Sequence, residues 1–221
     1  MTELRSLDEV ARVIWGALVP GRRTLVAIVG APGAGKSTIA ALLAPLIPAA
    51  ILPMDGFHLP QAELVRLGRR DRMGAPDTFD VAAFLAVLTA LNGNSGDRIL
   101  APGFDREIEE PIPDAIDISP EFPCVIVEGN YLLLDRAVGG GTDTGTSTET
   151  STEWARAADQ FDLSFYVDVD HRVRLARLVA RHEQFGKSPA DALAWALGPD
   201  EDNARIIAAT ATRADHTIRL D

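Results

Sequence analysis

Gly30-Ala31-Pro32-Gly33-Ala34-Gly35-Lys36-Ser37-Thr38 places glycines, one lysine and two hydroxyls in a single short run. The spacing Gly-x-x-x-x-Gly-Lys-Ser is that of a phosphate loop. Its glycines let successive backbone N–H groups point inward at phosphate oxygens without obstruction by side chains. Lys36 would reach the β and γ phosphates as a point charge, and the Ser37 hydroxyl would ligate Mg²⁺. The N-terminus of the following helix adds positive potential. Residues 30–38 are therefore expected to hold ATP and its Mg²⁺. A second chemical position is Asp55, in Met54-Asp55-Gly56-Phe57-His58. It follows a short strand candidate, so its carboxylate stands at the carboxyl edge of a sheet, where open α/β folds bind ligands. There it would accept the proton of a substrate hydroxyl; the alternative is a solvated turn aspartate. His58 would line an acceptor pocket or cover the sheet edge.

The elements needed to position these residues are legible. Thr24–Val29 reads as a short β-rich run leading directly into the loop, and an Ala/Leu-rich helix follows through Leu46, stopped by Pro48. Ser6 can cap a helix through Leu18 whose apolar residues recur at threes and fours. Further strands are predicted at 50–53, 99–102, 124–127, 163–169 and 217–220, with helices at 81–91, 154–160, 172–185, 189–197 and 201–213. This alternation predicts a doubly wound α/β architecture, a P-loop NTPase fold with a parallel sheet and helices on both faces. Asp80 reads as the cap of the helix after the turn-rich segment 72–80. The Gly/Thr/Ser-rich stretch over 138–153 reads as a mobile loop inside a single domain spanning 1–221.

Composition narrows the partners. The chain has 221 residues, 47% of them hydrophobic, enough for a large core, and a formal net charge of -11. Nucleic-acid affinity comes mostly from Lys and Arg neutralising phosphates, so this acidity argues against a nucleic-acid partner and for a small substrate. No run of 18 or more apolar residues and no basic-then-apolar leader are present, so no membrane partner and a cytoplasmic location are expected. The single cysteine, Cys124, lies in an apolar run and reads as a buried thiol. Composition leaves a homodimer open.

A phosphate loop alone fits GTPases, transport ATPases and kinases. The Asn-Lys-x-Asp and Leu-Ser-Gly-Gly-Gln patterns are absent. Over nearly the whole chain the sequence resembles the P-loop kinases that include bacterial type pantothenate kinase, uridine kinase and phosphoribulokinase. The resemblance rests on Gly30 to Ser37, Met54-Asp-Gly-Phe-His58, Gly74 to Asp80, Phe104-Asp-Arg106, Val127-Glu-Gly-Asn-Tyr131 and Arg174-Leu-Ala-Arg177 with Arg181. Within that group it looks most like bacterial nucleoside kinase-like or fructose-transport-associated sugar kinases.

The resemblance implies Asp55 as catalytic base and Glu128 as the acid that holds hydrated Mg²⁺ opposite Ser37. It implies Asn130 and Tyr131 facing the acceptor. Asp105 and Arg106, with Phe104 where the family has Tyr, would clamp acceptor hydroxyls or pair with each other. Arg174, Arg177 and Arg181 share one helical face, like the arginines of the family's lid, here about 171–190. Arg177 and Arg181 are the pair expected over the γ-phosphate, with hinges at Gly186 and Pro189. The last strand is implied to approach the adenine. The activity implied is transfer of the γ-phosphoryl of ATP to a hydroxyl of a small metabolite, first a sugar or sugar-like polyol, then a nucleoside or pantothenate-type acceptor. An ATP-binding regulator without acceptor turnover and a stand-alone ATPase are the rivals.

Overall fold

The computed structural model describes residues 2–93, 95–135 and 148–220. Its strands are β1 (Thr2–Leu4), β2 (Thr24–Val29), β3 (Ala49–Pro53), β4 (Ile99–Asp105), β5 (Glu110–Ile118), β6 (Cys124–Gly129), β7 (Leu163–Val167) and β8 (His216–Ile218). Its helices are α1 (Leu7–Ala17), α2 (Lys36–Leu43), α3 (Gln61–Arg66), α4 (Val81–Gly93), α5 (Thr148–Ala158), α6 (His171–Gln184), α7 (Pro189–Leu197) and α8 (Pro199–Ala208). A six-stranded parallel sheet in the order β1-β8-β7-β2-β6-β3 forms the middle layer.

Strand periodicity explains the two cores. Every residue of β2 and β6 is buried, as expected for strands covered on both sides. Leu25, Ala27 and Val29 face Phe84 and Leu88 of α4 and Trp154 of α5, whereas Val26 and Ile28 face Val10 and Ile14 of α1 and Ile39 and Leu43 of α2. Alternate side chains point to opposite faces, so each strand feeds both layers. Each fully buried aliphatic side chain contributes about 1.5–3 kcal/mol. Helix starts follow the expected chemistry. Ser6 Oγ accepts the Glu9 N–H at 3.3 Å, and Asp80 Oδ1 accepts the Ala83 N–H at 2.8 Å.

Four expectations change. The strand expected at 99–102 is not part of the parallel sheet: β4 extends to Asp105 and pairs antiparallel with β5 as a separate hairpin. β5 carries Pro111, Pro113 and three acidic residues, a composition that reads as loop. Proline is tolerated there because the strand has an open edge, and the register shift opposite Pro102 absorbs the irregularity. The helix after the phosphate loop stops at Leu43, not Leu46. The last helix runs from Pro199 to Ala208, and a 3₁₀ turn, Ala211–Arg213, replaces its expected end. Of the loop expected over 138–153, residues 138–147 lie outside the described residues, and 148–153 are the start of α5.

The hairpin matters because it crosses the 3₁₀ turn Met54–Phe57 that carries Asp55. Gly56 makes the crossing possible: a Cβ there would collide with the Pro102 carbonyl oxygen and stand 2.6 Å from its carbon. Both groups are backbone, so the clash cannot be relieved by a rotamer change. Gly56→Ala should therefore destabilise the protein by about 1–3 kcal/mol in urea unfolding, the usual cost of overpacking. An unchanged midpoint would mean that the hairpin is not seated on this turn.

Candidate active site

The carboxyl ends of β2, β3 and β6 deliver three segments to one cavity of about 320 Å³, whose wall includes Lys36, Ser37, Asp55, Glu128, Asn130 and Arg181. The phosphate loop bends through Gly33 and Gly35 at φ +80° and +94°. These left-handed conformations are ones that only glycine adopts readily. Gly33 is also the place where α6 comes closest: a Cβ there would lie 2.7 Å from Leu178 Cγ and 2.8 Å from Arg174 O. In this structure α6 therefore rests directly on the loop.

Lys36 is nearly buried, and its Nζ donates to Gly30 O at 2.8 Å, Ala31 O at 3.2 Å and Asn130 Oδ1 at 2.7 Å. Burial pulls its ammonium pKa down to about 8, against the pull of Glu128 and Asp55. Ser37 Oγ donates to Glu128 Oε1 at 2.8 Å. The Glu128 carboxyl is pushed above its ordinary value by burial and then by the charge of Asp55. Burial pushes Asp55 the same way, but Arg106, whose Nη2 donates to Asp55 Oδ2 at 2.6 Å, outweighs it together with Lys36 and Arg181. Two neighbouring carboxyls are thus driven in opposite directions, so Asp55 is ionised while Glu128 holds a proton more readily.

His58 Nδ1 lies 2.8 Å from Asp55 O, and its ring is 4.0 Å from that of Phe79 and 4.8 Å from that of Phe104. A carbonyl only accepts, so Nδ1 carries the hydrogen. Burial lowers the pKa of the ring, which leaves it neutral near pH 7.

The three arginines of α6 part company. Arg174 is buried, donates to Pro32 O at 3.4 Å and pairs with Glu201 of α8; it fastens the helix to the loop. Arg177 stands at the cavity mouth, with its Nη1 3.5 Å from where a Gly35 Cβ would be. Arg181 lies deeper, where burial lowers its pKa. Neither guanidinium of this second pair makes a hydrogen bond to protein among the described residues.

Two expected residues sit elsewhere. Tyr131 is fully buried rather than facing the cavity, because its ring packs 5.9 Å from Phe79 and 5.6 Å from Trp154. Its hydroxyl donates to Gly74 O at 2.6 Å. Asp105 neither clamps the main cavity nor pairs with Arg106. Its Oδ1 accepts the Glu107 N–H at 2.8 Å and the Ile108 N–H at 3.4 Å, closing the hairpin turn. Asn130 lines the cavity while holding Lys36.

The cavity wall also contains Glu109, His182, Trp195, Asp200 and Asn203, which sequence reasoning did not single out, together with Met73 of the turn-rich segment 72–80. They come from distant segments without a shared motif; the resemblance, which implies that segment 72–80 lies against the acceptor, and the adjacency of His182 to Arg181 offered the signals. The Met73–Gly74 wall hangs from buried donors, because Trp154 Nε1 donates to Pro76 O at 3.0 Å and Tyr131 to Gly74 O. A separate cavity of about 290 Å³ lies across Arg177, lined by Thr38, Ile39, Leu42, Val167, Val169 and Leu220.

No family model matches the chain. A Schizosaccharomyces pombe protein provisionally named a uridine kinase is 31% identical over 191 residues, covering 81% of this chain and 75% of that protein. A pantothenate kinase of Leifsonia xyli subsp. xyli is 31% identical over 175 residues; the match covers 76% of this chain but only 50% of the longer enzyme. Among solved structures, a protein from Silicibacter sp. TM1040 provisionally named a fructose transport system kinase aligns with TM-score 0.83 and 35% identity over 97% of this chain and 99% of its own.

Two outcomes follow from this geometry. A bound triphosphate raises the Lys36 pKa above the value near 8 in the free protein, so binding takes up a proton once that value is passed. MgATP affinity should be flat below about pH 7 and fall by up to about tenfold per unit above about pH 8, with Lys36→Arg removing the slope. Calorimetry across buffers of different ionisation enthalpy measures the uptake; its absence would refute the coupling. Trp154→Phe deletes the donor to Pro76 O and should cost about 1–3 kcal/mol. It should raise the acceptor KM more than the ATP KM; equal changes in both would show that the wall does not serve the acceptor.

Proposed function

The chain belongs to the P-loop kinase superfamily of pantothenate kinase, uridine kinase and phosphoribulokinase and is an ATP-dependent small-molecule kinase; from that premise we propose that it phosphorylates a hydroxyl of a sugar or sugar-like polyol. The observation that carries the catalytic part of this reading is the contact of Asp55, ionised and 2.6 Å from Arg106, with the cavity that holds Lys36 and Ser37. The sugar part is supported by the likeness to the Silicibacter protein, whose name refers to fructose transport, and by Phe104 and Trp195 in the wall, whose faces suit the apolar C–H side of a sugar ring.

In the proposed reaction the acceptor oxygen forms a bond to Pγ while the bond from Pγ to the β,γ-bridging oxygen breaks. ADP leaves with that electron pair, and the hydroxyl proton passes to Asp55 and on to solvent. A carboxylate with a lowered pKa is a weak base, which suits a loose phosphoryl-transfer transition state: its main service is to orient the hydroxyl. Lys36, Arg177 and Arg181 would neutralise the phosphoryl oxygens, and residues 30–38 would hold the triphosphate through backbone N–H groups. The segment 171–190 would act as the lid that excludes water. The apolar cavity across Arg177, beside the C-terminal strand, is the natural seat for the purine.

The donor set suits Mg²⁺. A hydroxyl and a carboxylate converge at 2.8 Å, and no cluster of three or more acidic, His or Cys ligands exists among the described residues. A cation that keeps waters and phosphate oxygens needs no more protein ligands than these. When bound by Ser37 and Glu128 it would supply charge neutralisation across the β and γ phosphates.

A nucleoside acceptor is the second reading, favoured by the name of the S. pombe relative and by the same aromatic wall; a pantothenate-type acceptor stands behind it through the Leifsonia enzyme. ADP release from MgATP across sugars, sugar phosphates, nucleosides and pantothenate decides among them. Asp55→Asn should bind ATP normally and lose about 10²–10⁴-fold in acceptor-stimulated kcat. If no acceptor stimulates and the variant matches wild type, the protein is an ATP-binding regulator or a stand-alone ATPase.

A further inference from the structure

The charges that line the cavity discriminate between classes of acceptor. Its wall carries four carboxyl groups, Asp55, Glu109, Glu128 and Asp200, and four basic groups, Lys36, Arg106, Arg177 and Arg181. The cations are committed. Lys36 and Arg177 stand at the phosphate loop, Arg106 is bonded to Asp55, and Arg181 stands among Asp55, Glu128 and Asp200. ATP brings more negative charge than one Mg²⁺ cancels, so the loaded cavity is net negative before any acceptor enters.

No further cation lines the cavity itself, although Lys187 Nζ lies 4.8 Å from the Trp195 ring centroid and Arg70 is bonded to Glu109. Asp200 is only 8% exposed, and its Oδ2 lies 2.7 Å from His182 Nε2, which satisfies the ring and leaves the carboxylate's other oxygen available. Asn203 is 5% exposed, and its side-chain amide makes no hydrogen bond to protein among the described residues, although it lines the cavity. A buried amide in that state needs a polar partner from a ligand or water. Glu109 already accepts from Arg70 at 2.5 Å. What remains is a carboxylate oxygen that accepts from O–H groups and an amide that both donates and accepts, beside the indole of Trp195.

We infer that the acceptor is an uncharged, hydroxyl-rich molecule, and that Asp200 selects it over carboxylate- or phosphate-bearing analogues while Asn203 hydrogen-bonds its hydroxyls. The inference rests on the phosphotransfer reading above and goes further: it excludes sugar phosphates and carboxylic acids such as pantothenate. The physical basis is like-charge repulsion at a partly buried site, which is stronger than in bulk solvent.

The test is ADP release from MgATP over matched pairs: a hexose against its monophosphate and its aldonic acid, a nucleoside against its monophosphate, and pantothenol against pantothenate. In any pair that turns over, the uncharged member should have kcat/KM at least about tenfold higher. Asp200→Asn should lower turnover of the uncharged member and shrink that ratio, with ATP affinity unchanged. A charged member that equals or beats its partner in wild type overturns the inference but leaves the kinase reading standing. A ratio unmoved in a folded Asp200→Asn removes Asp200 from the selection. If Asp200→Asn does not fold, the wild-type ratios decide alone. If no pair member stimulates ADP release, the phosphotransfer reading fails and takes this inference with it.

Discussion

The gathering of a buried ammonium, a buried carboxylate and a half-buried one within one cavity is the constraint on which the rest of this structure depends. Lys36, Asp55 and Glu128 lie at the carboxyl edge of the sheet, where taking charge out of water costs several kcal/mol per ion unless it is paired. Each is paired: Lys36 by the carbonyls of its own loop and by Asn130, Glu128 by the Ser37 hydroxyl, and Asp55 by Arg106. These contacts hold the site together without ligand, and they are the contacts that a triphosphate, a cation and an acceptor hydroxyl would replace.

The surrounding architecture serves that replacement. β2 and β6 are neighbours, so the phosphate loop and the Glu128 carboxylate leave the sheet side by side, and β3 on the other flank of β6 brings Asp55 to the same edge. The β4–β5 hairpin projects from the sheet and carries Arg106 back onto Asp55, a crossing that Gly56 permits. Helix α6 is pinned to the loop by Arg174, which leaves Arg177 and Arg181 of the same helix directed at the cavity. One helix thus separates a structural arginine from two candidate phosphate ligands by side-chain direction alone.

The opposite displacements of Asp55 and Glu128 suit the chemistry of phosphoryl transfer. A loose transition state develops diffuse negative charge and makes little demand for a strong base, so an ionised carboxylate held by an arginine orients an alcohol well. In the proposed reaction the same negative cavity that would orient an alcohol would discourage an anionic one, linking catalysis to selectivity through one electrostatic cause.

The order strand, glycine loop, helix was determined by sequence alone, because the glycine spacing and the apolar run before it act locally. Asp55, Lys36, Ser37 and Glu128 were legible for the same reason: each lies at or just past the carboxyl end of a strand or opens a helix, so chain position implies spatial position. The hairpin was not legible, since β5 with its prolines and acids carries no strand period and exists only through pairing with β4. Nor were the burial of Tyr131, the turn-capping role of Asp105, or the gathering of Glu109, His182, Trp195, Asp200 and Asn203 in the cavity wall. Those depend on which elements pack against which, a decision made by contacts between residues far apart in the chain. Phosphate-binding chemistry is written in a contiguous loop of backbone N–H groups and can be read from the sequence. The proposed acceptor recognition draws on side chains from separate helices and turns, and only the tertiary structure brings them together.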